Sequence, residues 1–126
     1  MQRLPLAFFS AAALCALGGM IWGIVMAASN DHTMMPAHAH LNLLGWATLA
    51  LMGTFYALTG KGGRMGWLNF WISFGAVVLT IPALAMVLAG KVSVESLAIV
   101  GSLLALTGLV VFLINVLSQW RAPAGA

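Results

Sequence analysis

Hydrophobic residues fill four long stretches of this chain, and short polar segments separate them. The stretches cover about residues 5–28, 36–58, 67–89 and 94–119. Each reaches the roughly 20 residues that a helix needs to cross the ~30 Å hydrocarbon core of a bilayer. The pattern predicts an all-α membrane protein, a single domain over residues 1–126. Short connections favour four transmembrane helices in an up-down-up-down order.

Composition supports the same class. Hydrophobic residues make up 63% of the chain and charged residues 6%, whereas an ordinary soluble domain carries about 25% charged residues. The composition therefore excludes a soluble domain. The formal net charge of +3 rests on only five Lys and Arg residues, and it does not imply a nucleic-acid partner.

The positions of the basic residues predict the orientation in the membrane. If the chain crosses four times, four basic residues fall on one side and one on the other: Arg3, Lys61, Arg64 and Arg121 against Lys91. Cytoplasmic loops carry the excess of Lys and Arg. We therefore expect both termini in the cytoplasm and the loop at residues 29–37 outside, in a multi-pass protein of the bacterial cytoplasmic (inner) membrane.

Two histidines stand at the start of the second stretch, within Pro36-Ala-His-Ala-His-Leu-Asn-Leu-Leu-Gly-Trp46. Ionisable side chains in a membrane span are costly and usually functional. At 3.6 residues per turn, positions i and i+2 project about 200° apart. His38 and His40 therefore cannot easily share one metal ion, and we expect them to serve two neighbouring sites on opposite sides of the helix.

Steps of three and four residues divide the second helix into two faces. A small, partly polar face contains His38, Asn42, Gly45, Leu49, Met52, Gly53 and Tyr56. A more apolar face contains His40, Leu44, Ala47, Leu51 and Phe55. The first face is typical of one that packs closely against a flat ligand or another helix. We expect Tyr56 in the aromatic belt at the membrane interface, and Asn115 in a hydrogen bond between helices.

The segment Ala37-His-Ala-His-Leu-Asn-Leu-Leu-Gly45 resembles the haem-binding helix of the haem-copper oxidase superfamily, most closely its nitric-oxide reductase branch. There the two histidines hold a high-spin and a low-spin haem on opposite sides of one helix. The resemblance implies haem b bound through His38 and His40, with Asn42 and Gly45 beside it. The large subunit of that family is three four-helix arcs, and this chain is similar to one arc.

The resemblance implies a minimal cytochrome for electron transfer or a related redox task. Because the two imidazoles diverge, the second ligand of a six-coordinate haem must come from another copy. We therefore expect a homotrimer in which the second helices of neighbouring subunits hold the haem, with a twofold dimer as the alternative. A redox partner protein or a quinone would exchange electrons with it. Catalysis of the oxidase or nitric-oxide reductase kind is less favoured, because ligands for a second metal are missing.

Three other interpretations stay open. An outer-face copper protein would use His32, Met34 and Met35 with the two helix histidines, since thioethers suit Cu(I) and imidazole suits both oxidation states. An accessory subunit of a larger oxidase would bind no cofactor. Alternatively, His38 and His40 only bond to lipid headgroups or to the loop.

Overall fold

The computed structural model describes residues 2–121, and within them the chain forms four long helices. These are α1 (Arg3–Ser29), α2 (Met35–Thr59), α3 (Gly63–Leu88) and α4 (Glu95–Ser118), with 3₁₀ turns at Val92–Val94 and Gln119–Arg121. Each helix is long and apolar enough to cross a membrane. The helix ends lie within four residues of the predicted spans. The prediction of an all-α chain with four helices long and apolar enough to span a membrane is confirmed for residues 2–121.

Tight turns reverse the chain between consecutive helices. Asn30 ends α1 in the left-handed conformation, with φ of 55°, and Gly60 ends α2 in the same region, with φ of 65°. Only Gly adopts this region without a steric cost, and Asn tolerates it better than most residues. The antiparallel helices give the bundle two ends. We name the one with Arg3 and Arg121 the arginine end, and the one with the α1–α2 turn the histidine end.

Helix α2 is not a regular α-helix throughout. Its first turn, Met35–His40, is α-helical, Leu41–Thr48 is a π-helix, and Leu49–Thr59 is α-helical again. The Thr48 hydroxyl donates a 2.6 Å hydrogen bond to the carbonyl of Leu43, five residues earlier. π-helical turns are rare and are often found at functional sites. Here the π segment begins at the residue after His40.

Helix α1 packs against the small, partly polar face of α2. A Cβ atom added to Gly53 would lie 2.8 Å from the Cβ of Phe8, and one added to Gly45 would lie 2.6 Å from the sulfur of Cys15. Small residues allow transmembrane helices to approach this closely. The face predicted to meet a flat ligand or a helix therefore meets α1 at these two glycines.

Helices α3 and α4 form a second close pair. The Ser73 hydroxyl lies on Gly108, and the Thr80 hydroxyl lies on Gly101. The hydroxyl residues are seven positions apart on α3 and the glycines are seven apart on α4, so the contact repeats every two turns along the antiparallel pair. Any side chain at either glycine would collide with the hydroxyl opposite.

The core of the arginine half surrounds a buried tyrosine. Tyr56 is 1% exposed, and its hydroxyl accepts hydrogen bonds from Asn69 Nδ2 at 2.9 Å and from Asn115 Nδ2 at 2.7 Å. The prediction that Tyr56 lies in an interfacial aromatic belt is therefore wrong. Its partners come from α3 and α4, and burial of its hydroxyl is favourable because both bring a donor. The interhelical hydrogen bond predicted for Asn115 is confirmed.

Candidate functional site

The histidine end presents His40 on an exposed surface. Pro36 occupies the first turn of α2, where a missing N–H costs nothing, and the ring nitrogen Nδ1 of His40 lies 2.7 Å from the Pro36 carbonyl oxygen. A carbonyl oxygen only accepts, so Nδ1 carries the proton. The neutral imidazole then keeps its free lone pair on Nε2. Because the ring is exposed, this lone pair is available to a ligand from outside the chain.

His38 lies in different surroundings, against α1. Its Cε1 atom is 3.3 Å from the place where a Cβ on Gly23 would stand. Its ring meets the Trp22 ring edge-on, with centroids 6.4 Å apart. The side chain is half-buried. His38 is packed in the α1–α2 contact, whereas His40, two residues later, faces outward. Their different surroundings agree with the angular separation calculated from the sequence.

Asn42 forms a hydrogen bond with one ring nitrogen of His38. The amide Nδ2 of Asn42 lies 3.2 Å from His38 Nε2, and an amide nitrogen can only donate. His38 therefore accepts at Nε2 and carries its proton on Nδ1. That Nδ1 is buried and has no hydrogen-bond partner within residues 2–121. Asn42 itself rests on Gly19, so the pair lies directly on the small-residue surface of α1.

A groove opens beside this pair. It has a volume of about 380 Å³ and is lined by Gly19, Met20, Gly23, Ile24, Ala27, His38 and Asn42. Sites for small molecules typically measure about 300–1,000 Å³. The groove is mainly apolar, and an imidazole and an amide supply its polar groups. It therefore offers space for part of a flat, largely apolar molecule next to His38.

The predicted site residue Gly45 has a different neighbour. The sulfur of Cys15 fills the space next to it, within contact distance of any added Cβ. A porphyrin at Gly45 would need α1 to move away. The small size of Gly45 is thus explained by helix packing, and its contact with a cofactor stays a prediction.

The candidate copper ligands lie on the turn between α1 and α2 and at the start of α2. His32 and Met35 are exposed and Met34 is half-buried. Within residues 2–121, no three His, Cys, Asp or Glu side chains lie close enough together to hold a metal ion. Asp31, which belongs to the same turn, accepts hydrogen bonds from the Thr33 hydroxyl at 2.6 Å and the Thr33 amide at 3.0 Å. These bonds hold the pKa of the Asp31 carboxyl below its usual value.

Sequence reasoning found both histidines but missed two features around them. The hydrogen bond from His40 reaches a main-chain carbonyl one helical turn earlier, and any residue at that position would supply the same acceptor, so the sequence contained no signal for it. The π-helix was missed as well. The segment Leu41–Thr48 is mainly apolar, with Asn42 and Thr48 as its polar residues, and this pattern does not distinguish a π-helix from an α-helix.

Comparison with known proteins gave no match to a protein family, a curated protein or a solved structure.

Proposed function

We propose that this chain is a haem b-binding membrane protein that transfers electrons, and that His40 supplies an axial ligand to the iron. One observation carries the proposal: the hydrogen bond from His40 Nδ1 to the Pro36 carbonyl. Histidines that bind a metal almost always donate their other ring N–H to a carbonyl, a carboxylate or water, which fixes the tautomer and orients the ring. His40 has this arrangement, with Nε2 free on an exposed ring.

The second axial ligand would come from another copy of the chain. In the trimer that the family resemblance favours, it is His38 of the neighbour, and the groove of about 380 Å³ beside His38 would take part of the porphyrin. Asn42 must then give up its hydrogen bond to His38 Nε2. In a twofold dimer, His40 of both copies bind the iron and no hydrogen bond is lost.

Haem held by two histidines would supply one-electron chemistry, and ligation by His40 with a second histidine favours electron transfer over reactions of oxygen or nitric oxide. This chain would position the iron through His40 and surround the porphyrin with apolar side chains near the histidine end. The basic residues at the arginine end support a cytoplasmic location for that end. The haem would then lie near the outer face, where a partner protein or a quinone exchanges electrons with it.

The decisive experiment measures haem and metal content in the oligomer purified in mild detergent from cells supplied with haem. We expect a Soret band, a b-type pyridine haemochrome spectrum, and loss of haem in His40→Ala. His32→Ala is the matched control and should keep its haem. A native protein without a Soret band contradicts the proposal, and copper without porphyrin would replace it with the outer-face copper protein.

The same measurement on His38→Ala, combined with native mass spectrometry, separates the two assemblies. Loss of haem from His38→Ala in a trimer supports ligation by His38 and His40 of neighbours. Retention of haem in a dimer supports ligation by two copies of His40. A monomer that retains six-coordinate haem contradicts both.

A further inference from the structure

A second groove lies between α3 and α4 at the histidine end, and all its lining residues belong to these two helices. Its volume is about 480 Å³, and it is lined by Leu84, Val87, Glu95, Ala98, Ile99, Ser102, Leu103 and Leu106. From Glu95 to Leu106 the rise along α4 is about 16 Å at 1.5 Å per residue. One leaflet contributes about half of the ~30 Å hydrocarbon core. The groove therefore has the length of an acyl chain between the headgroup and the middle of the bilayer.

The groove contains one charged group, at its outer mouth. Glu95 is the first residue of α4 and is exposed. It is one of two acidic residues in the whole sequence. The hydroxyl of Ser102 donates to the carbonyl of Ala98 at 2.9 Å, so its proton is satisfied within its own helix. The groove thus combines an apolar channel with a carboxylate at the level of lipid headgroups.

We propose that this groove binds a phospholipid whose headgroup carries a primary ammonium, as in phosphatidylethanolamine. The acyl chain occupies the groove and the ammonium donates hydrogen bonds to the Glu95 carboxylate. Lys91, exposed in the turn four residues earlier, supplies positive charge for the lipid phosphate. A purely anionic headgroup is repelled by Glu95, and a quaternary ammonium has no N–H to donate. The proposal does not depend on haem.

The test is a competition between lipids. The native oligomer is reconstituted in vesicles of equal parts phosphatidylethanolamine, phosphatidylcholine and phosphatidylglycerol and extracted in mild detergent. Retained lipids are then counted by native mass spectrometry. We expect phosphatidylethanolamine to be enriched over phosphatidylcholine by about twofold to fivefold, the effect of one exposed ion pair. Glu95→Gln should abolish the enrichment. Asp31→Asn removes the other acidic residue and should leave it unchanged.

A second variant tests the groove itself. Ala98→Phe fills the groove near its mouth and should lower the retention of phosphatidylethanolamine, whereas Ala57→Phe, at an exposed alanine of α2, should not. Equal retention of the three lipids by the native protein would show ordinary annular lipid and overturn the proposal. The same enrichment in Glu95→Gln as in the native protein would also overturn it. Haem content is recorded in parallel, so that failure here is distinguishable from failure of the haem proposal.

Discussion

The two halves of this bundle differ in how completely their polar groups are used. In the arginine half, Tyr56 is enclosed by aromatic rings and its hydroxyl accepts two amide donors from two other helices. In the histidine half, His38 has a buried nitrogen without a partner within residues 2–121, and His40 has a free lone pair on an exposed ring. Packing at one end thus stabilises the fold, and the other end keeps groups available for a ligand. Regions that bind ligands commonly come from the less stable parts of a protein.

The largest effect should follow from removing a core ring in the arginine half. Phe8 is fully buried and contacts Tyr56 and Phe70, with ring centroids 5.4 and 5.2 Å away. Phe8→Ala should lower the free energy of unfolding by about 3–5 kcal/mol, because a cavity remains. Unfolding in detergent mixtures measures the change. Trp22→Ala, at a half-buried ring of the histidine half, is the control and should cost less; equal losses would contradict the contrast between the halves.

A smaller loss should follow from removing only the hydroxyl at the centre of the arginine half. Tyr56→Phe leaves the amide of Asn115 without its acceptor and leaves Asn69 only the weak acceptor Met52 Sδ at 3.7 Å, which should cost about 2–3 kcal/mol. Replacing Asn115 by Leu as well removes one stranded donor, and part of the stability should return. Circular dichroism during thermal unfolding measures both variants. If the double variant is less stable than Tyr56→Phe, the hydrogen bonds are not the source of the loss.

The sequence predicted the helices well because each span is a long apolar run that only a helix can satisfy in lipid. It also predicted the small face of α2, since Gly45 and Gly53 recur at helical spacing. Tyr56 was misplaced because its partners are 13 and 59 residues away along the chain, and helical periodicity gives only the face of each residue. Which helix covers that face is set by tertiary packing.

Variants at Gly45 test whether this glycine serves helix packing or the proposed haem site. Gly45→Ala should cost about 1–2 kcal/mol, because the added methyl overpacks the contact with Cys15. An added methyl would lie 2.6 Å from the sulfur and 2.7 Å from the Cβ of Cys15, so Cys15→Gly removes both opposing atoms and should restore part of the stability in the double variant. Haem content is then measured on the stable double variant. Normal haem content assigns Gly45 to helix packing, whereas persistent loss of haem supports its predicted place beside the porphyrin.

The smallest effect concerns the turn at the histidine end. Hydrogen bonds from Thr33 lower the pKa of Asp31 below its ordinary value of 3.8. The ordering that these bonds provide is therefore present above the ordinary pKa and is lost as the pH falls through the lower value in the folded protein. We expect the NMR shift of the Thr33 amide to change only in that acidic range. In Asp31→Asn the shift should not titrate there; an unchanged titration would assign it to another group.

The hydrogen bond between His40 and Pro36 has a consequence for protein design. Its acceptor is a main-chain carbonyl one turn earlier in the same helix, so the orientation of the imidazole requires no side chain elsewhere in the protein. Where a carboxylate orients a metal-binding histidine instead, that partner residue must be designed together with it. Here the residues from Pro36 to His40, at the start of the helix, form a unit of five residues. Placed at the start of another membrane helix, this unit would carry an oriented imidazole with its tautomer already fixed.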